Sequence, residues 1–191
     1  TAPCSDGMDV AFVIDYTYSM ASAVNGVKAG VASLVNTIDT SSGANDYRLS
    51  LITVDEYAQG TTPLPAYAAC TDYTNLPAAQ KYDALGTNNS RQIISAWELF
   101  QNNNGPSFTT ELNKLNGGAT AGCVQIGNGS GTAEPCDLAS QLVVNSNFTG
   151  AFRANVAKYI IIITDNLPSG TEDTFTAQTW AGIQAVISAA N

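Results

Sequence analysis

The 191-residue sequence contains no histidine and few basic residues. Without histidine, the chain cannot form a Ser-His-Asp or Cys-His catalytic system, a histidine general base, or a zinc or iron site with histidine ligands. Seven lysines and arginines stand against sixteen aspartates and glutamates, which gives a net charge of −9. Nucleic acids and anionic membranes bind proteins through basic side chains, so neither is expected as a partner.

The sequence also lacks a long hydrophobic run. No segment approaches the roughly 18 apolar residues of a membrane span, so membrane insertion is not expected. The opening TAPCSDG has no apolar signal-peptide core, and we expect any signal peptide to have been removed already. Low charge with abundant Asn, Ser and Thr is typical of secreted chains. We expect a mature extracellular domain, or a piece of one, that is secreted or displayed at the cell surface.

The four cysteines show no CxxC spacing, which argues against zinc ribbons and thioredoxin-like chemistry. In an extracellular chain they predict two disulfides, for which three pairings are possible. Cys123 and Cys136 enclose a short glycine-rich segment, which suggests a local disulfide loop over 123–136. Cys4 and Cys70 then pair by elimination.

Length and periodicity predict a single α/β domain over 1–191. The apolar runs at 8–14, 47–54 and 159–164 read as buried strands. Apolar residues at three- and four-residue steps predict one face of a helix: Val24, Val27, Val31, Leu34 and Ile38. We expect a mostly parallel central sheet flanked by helices.

The middle of the chain is less regular. Residues 58–90 are rich in Thr, Pro, Ala and Asn and read as a long loop, so we expect an insertion at about 58–107. Short helices are predicted at 94–100, 108–115 and 137–144, and a last helix at 174–190. Trp97 and Trp180 are expected in the core.

Two of the apolar strands end in an aspartate, Asp15 and Asp165. If these strands are neighbours, both carboxylates lie at the carboxyl edge of the sheet, where ligands of such sheets bind. Asp15 also begins a DxTxS motif with Thr17 and Ser19, whose oxygens suit a hard cation such as magnesium, manganese or calcium. The simpler alternatives are that Asp15 caps a helix and that Asp165 starts a turn.

These segments resemble the von Willebrand factor type A (vWA) domains, a Rossmann-like family that carries a metal-ion-dependent adhesion site. MDVAFVIDYTYSM is similar to the family's apolar strand, DxSxS and Met, with Thr17 in place of the first serine. IIIITDNLPSG (161–170) is similar to the strand that ends in TDG or TDA, with Asn166 in place of the small residue. LNGGATAGC (115–123) supplies the glycines and the threonine of a third loop.

The resemblance implies five metal ligands, direct or through water: Asp15, Thr17, Ser19, Thr120 and Asp165. The disulfide loop follows Thr120 at once, so Thr132 or Glu134 are alternatives for that place. Tyr16, Tyr18 and Asn166 are candidates for a ligand-facing wall, although aromatic packing beneath the loops accounts for the two tyrosines equally well.

The function implied is adhesion rather than catalysis. In the family, the cation (Mg²⁺, or Ca²⁺ or Mn²⁺) keeps an open position that an acidic group of a protein or glycan partner completes. The family's sheet has six strands, so this chain is expected to lack the last strand–helix units. An oligomer or a partner chain would then complete the sheet.

Two alternatives belong to other classes of protein. The chain is a structural subunit of a pilus or surface filament if its metal site is degenerate or merely stabilising. A phosphatase of the haloacid dehalogenase type would show DxDxT, but Thr17 stands where that motif has its acid–base carboxylate. We therefore do not expect an enzyme.

Overall fold

The computed structural model describes the larger part of the chain: residues 7–41, 46–58, 71–85, 90–115, 133–145, 148–168, 181, 184, 185 and 188. The strands are β1 (Met8–Asp15), β2 (Tyr47–Ala58), β3 (Lys81–Leu85), β4 (Ser90–Asn102), β5 (Ala133–Glu134), β6 (Ala157–Ile163) and β7 (Leu167–Pro168). The α-helices are α1 (Val24–Ser41), α2 (Thr71–Asn75), α3 (Gly105–Lys114) and α4 (Cys136–Asn145). Two 3₁₀ turns, Tyr18–Ser22 and Ala78–Gln80, precede α1 and β3.

Five strands form one sheet in the order β3-β4-β2-β1-β6. β1 lies between β2 and β6 and pairs in parallel with both, whereas β4 is antiparallel to both β2 and β3. The α/β class and the flanking helices are confirmed. The sheet is mixed: β4 runs against the other four strands, which share one direction as a mostly parallel sheet requires.

Helices pack on both faces of the sheet. One face carries Phe12, Leu51 and Trp97 against α1 and α3, and the other carries Val13 and Ile52 against α4. The predicted strands at 8–14, 47–54 and 159–164 and the helices at 108–115 and 137–144 are confirmed within a few residues. In α1 the buried stripe uses Val35 where the periodicity had placed Leu34, which is exposed.

The helix predicted at 94–100 is wrong, because this segment is the centre of β4. Ile94 and Ala96 face α4, while Ile93 and Trp97 face α1 and α3. The segment is buried on both faces, Ser95 and Glu98 included, so burial leaves no alternation that would distinguish a strand from a helix. Two strands of the sheet, β3 and β4, therefore lie within the segment 58–107 interpreted as an insertion.

A network of charged side chains lies at the amino end of β1. Asp9 is fully buried and accepts hydrogen bonds from the guanidinium of Arg48 on β2 and from that of Arg153, which precedes β6. Arg153 also pairs with Asp46. These contacts tie β1, β2 and the segment that leads into β6 together at the edge opposite the aspartate of the DxTxS motif.

Several predictions fall on residues outside the described ranges. Cys136 is buried at the start of α4, but Cys4, Cys70 and Cys123 are outside, so both disulfide pairings stay predictions. Trp180 and most of the predicted helix 174–190 are outside as well; its described positions 181, 184, 185 and 188 are helical. None of the helices in the described part is long and apolar enough to cross a membrane.

Candidate functional site

The candidate site lies where β1 and β6 end at the same edge of the sheet. The parallel register pairs Ile14 with Ile163, so the next residues, Asp15 and Thr164, meet side by side. After Asp15 the chain stays extended through Thr17 and then enters the 3₁₀ turn with Ser19. Tyr16 extends the ladder by donating its N–H to the Val54 carbonyl at 2.7 Å, which fixes the start of this loop.

Short contacts join the polar side chains of this edge into one row. The Thr17 hydroxyl donates to Asp15 Oδ1 at 2.7 Å, and the Thr17 and Ser19 hydroxyl oxygens lie 3.2 Å apart. The Ser19 hydroxyl donates to Asp165 Oδ1 at 3.1 Å. The structure thus brings together Asp15, Thr17, Ser19 and Asp165, which lie up to 150 positions apart in the sequence.

The two aspartates differ in environment. Asp15 is fully buried, whereas Asp165 is exposed. Burial raises the pKa of the Asp15 carboxyl above its ordinary value, and the charge of Asp165 adds to the rise. Hydrogen bonds from Thr17 and Thr164 oppose the rise without cancelling it. A nearby positive charge would relieve both the burial of Asp15 and its repulsion from Asp165.

The simpler alternatives for the two aspartates fare differently. Asp15 does not cap a helix, because the N-cap of the following 3₁₀ turn is Thr17; its Oδ1 accepts the backbone N–H of Thr17 at 2.9 Å, which is a local turn contact. Asp165 lies in the bend that follows β6. These roles are compatible with ligation, because a carboxylate has about four acceptor positions.

Tyr16 does not belong to the proposed ligand-facing wall. Its side chain is fully buried in the core beneath α1, so the alternative of aromatic packing holds for it. The side chain of Tyr18 lies outside what the structure describes. Asn166 is half-buried next to Asp165, and its backbone N–H is bonded to the Thr164 hydroxyl.

The third loop is not placed. Thr120 and Thr132 are outside the described residues. Glu134 belongs to β5, which pairs in parallel with β7, and Glu134 itself is opposite Pro168. The backbone of Glu134 is therefore held beside the segment that follows Asp165, close to the edge that carries the candidate site.

Sequence reasoning missed Thr164. Its hydroxyl donates to Asp15 Oδ2 at 2.7 Å and so joins the last residues of β1 and β6. The available signal was a hydroxyl residue directly before the strand-end aspartate, but its contact depends on the register between two strands 149 positions apart.

The donor set that the structure brings together consists of the Asp15 and Asp165 carboxylates and the Thr17 and Ser19 hydroxyls, all of them oxygen donors. Such a set fits magnesium, calcium or manganese and not the softer metals that thiolates and imidazoles select. Thr17 and Ser19 each direct their proton to a carboxylate, which leaves hydroxyl lone pairs for a cation. Across the described ranges, no group of three or more His, Cys, Asp and Glu side chains could hold a metal, so these hydroxyls would have to contribute.

Comparisons with known proteins give no match that bears on this arrangement. No family model matches the sequence, and no curated protein matches it.

Proposed function

We propose that the chain is an extracellular adhesion domain of the vWA kind, which binds a protein or glycan through a divalent cation. The single observation that carries the proposal is the row of short contacts from Asp15 through Thr17 and Ser19 to Asp165. Together these residues offer a compact group of hard oxygen donors at the carboxyl edge of the sheet, where α/β proteins bind their ligands.

The charge of the donor set favours a cation that still accepts a ligand. Asp15 and Asp165 would neutralise a divalent ion without excess negative charge, whereas a site with three or four carboxylates would repel another. Mg²⁺ prefers six oxygen ligands, so positions not filled by this chain remain for water or for a carboxylate of the partner. Thr17 and Ser19 would contribute neutral oxygens.

The partner we propose carries an acidic group, supplied by a protein side chain or an acidic glycan. At a net charge of −9, the domain as a whole repels such a partner from a distance. Recognition would therefore depend on the metal bond formed at close range, and added salt should weaken binding little or even favour it. The proposal assigns no reaction to the site.

The test is binding to an immobilised panel of acidic and neutral glycans and peptides, in Mg²⁺ and in excess chelator. We expect selective retention on acidic members in Mg²⁺ alone, and loss of that retention in Asp165→Asn. Ser188→Ala serves as the control, since Ser188 is an exposed hydroxyl that donates to the Gln184 carbonyl, four residues before it. Retention that is unchanged in chelator would overturn the proposal.

One observation favours the alternative of a filament or pilus subunit. Within the described part of the chain, no strand pairs with the outer edge of β6. This strand exposes Tyr159 (50%) on one face and Ile162 (46%) on the other, with neither proline nor glycine in it. Exposed apolar edge strands pair readily with other strands. If the purified chain assembles into polymers in chelator, the structural role is favoured over adhesion.

A further inference from the structure

One hydroxyl contacts both strand-end segments that carry the carboxylates of the candidate site. Thr164 follows β6 directly, is half-buried, and precedes Asp165. Its Oγ1 lies 2.7 Å from Asp15 Oδ2 and 3.1 Å from the backbone nitrogen of Asn166. The two contacts act on different carboxylates.

Toward Asp15, Thr164 is a donor. Asp15 Oδ1 already accepts the N–H and the hydroxyl of Thr17, so both of those bonds hold the same oxygen. The Thr164 hydroxyl is the contact that holds the other oxygen, Oδ2. With both oxygens held, the carboxylate plane cannot turn about its last torsion without breaking a hydrogen bond.

On the side of Asp165, the Thr164 hydroxyl accepts a hydrogen bond from the backbone of the next residue, Asn166. The Asn166 N–H donates to the Thr164 hydroxyl, two residues back, in the geometry of a threonine turn. The hydroxyl has one proton, which it donates to Asp15 Oδ2 at 2.7 Å, because the other acceptor, the Asn166 carbonyl, is farther away at 3.4 Å. The turn fixes the backbone on both sides of Asp165, whose carboxylate then reaches Ser19.

We propose that Thr164 is a positioning residue, which sets the orientation of the Asp15 and Asp165 carboxylates toward a divalent cation through one hydroxyl. This inference rests on the proposed function, since it assumes that these carboxylates bind a cation. Residues that orient metal ligands without touching the metal typically change its affinity about 10- to 100-fold when removed.

The experiment is calorimetric titration of the whole chain with Mn²⁺ for the parent, Thr164→Val and Thr164→Ser. Valine keeps the shape and removes the hydroxyl, whereas serine keeps the hydroxyl. We expect the Mn²⁺ Kd to rise about 10-fold or more in Thr164→Val and to stay within about 3-fold of the parent in Thr164→Ser. Thr149→Val is the matched control, because the buried Thr149 hydroxyl has no hydrogen-bond partner among the described residues.

A merely structural role predicts a different result. In that case the Tm of Thr164→Val in chelator falls while its Mn²⁺ Kd equals that of the parent, and the inference is overturned although the metal site stands. If the parent itself binds no Mn²⁺, the proposed function fails and the inference fails with it. Should Thr164→Val not fold, Thr164→Ala provides the hydroxyl-free comparison with serine.

Discussion

At the scale of single residues, β1 contains two fully buried aspartates that are stabilised in opposite ways. Asp9 is met by two guanidinium groups, whereas Asp15 is met by hydroxyls and a backbone N–H, with another carboxylate nearby. Burial by itself raises the pKa of the Asp9 carboxyl, but hydrogen bonds from Arg48 and Arg153 lower it below its ordinary value. The pKa of Asp15 is raised. Of these two aspartates, Asp15 is therefore the one whose negative charge is not offset by its surroundings.

The first prediction concerns Asp15→Asn in metal-free protein. Because the buried carboxylate is better accommodated without its charge, we expect the variant to be more stable than the parent at pH 7, by about 1 kcal/mol, as for other site residues that trade stability for function. Urea unfolding in excess chelator measures this difference. A large loss of stability in Asp15→Asn would show that the carboxylate serves the fold.

Asp9→Asn is the opposite case and a separate prediction. It leaves two guanidinium groups facing an amide, and we expect a loss of about 2 kcal/mol. The figure lies below the cost for fully buried pairs because Arg48 and Arg153 are partly exposed. The same urea series, run beside Asp15→Asn, measures it, and an unchanged unfolding midpoint would contradict the role given to the network.

The pH dependence of stability follows from the sign of the Asp9 shift. A carboxyl whose pKa is lower in the folded chain than its ordinary value adds stability that is complete above that ordinary value. The contribution disappears as pH falls through the lower, folded pKa. We expect the parent to lose stability below about pH 4 more steeply than Asp9→Asn, as measured by urea midpoints from pH 6 to pH 2. Parallel curves would rule out this contribution.

At the scale of elements, the sequence was sufficient where one feature was strong and local. The apolar runs of β1 and β6 and the 3.6-residue stripe of α1 each predicted an element that is present. It was insufficient for β3 and β4, because the antiparallel pairing that places them in the sheet joins β4 to the distant β2 and leaves no local mark. β4 is buried on both faces and reads equally well as helix.

One side-chain hydrogen bond joins β4 to β2 and depends on the pairing of these two strands. Trp97 donates its indole N–H to the Thr53 hydroxyl on β2 at 2.8 Å, between buried partners. In a double-mutant cycle of Trp97→Phe and Thr53→Val, we expect a coupling energy of about 1 kcal/mol in urea unfolding. Additive effects of the two substitutions would contradict the contact and the register that creates it.

The elements of the candidate site were predictable to a similar degree. Asp15, Thr17, Ser19 and Asp165 follow from motifs at strand ends, and the structure brings all four together. Tyr16 was misjudged because alternation along β1 continues one residue past the strand and turns this side chain into the core. Thr164 could not be found, since its partner is set by the register of β1 against β6.

At the scale of the whole molecule, the mixed sheet acts as a frame that joins segments distant in sequence. Parallel pairing of β1 and β6 places both strand-end aspartates at one edge, and the Asp9 network holds the opposite edge. The central claim is that this edge binds a divalent cation, and that the cation is bound by the folded chain.

Thermal unfolding of chelator-stripped protein tests that claim most directly. A ligand of the native state at 100 times its Kd adds about 2.7 kcal/mol. For a domain of this size that amounts to a rise in Tm of roughly 5–10 °C. We expect this rise in the parent on addition of Mg²⁺, Ca²⁺ or Mn²⁺, and none in Asp15→Asn. A parent that shows no rise with any of the three ions, or a variant that rises equally, would contradict the account.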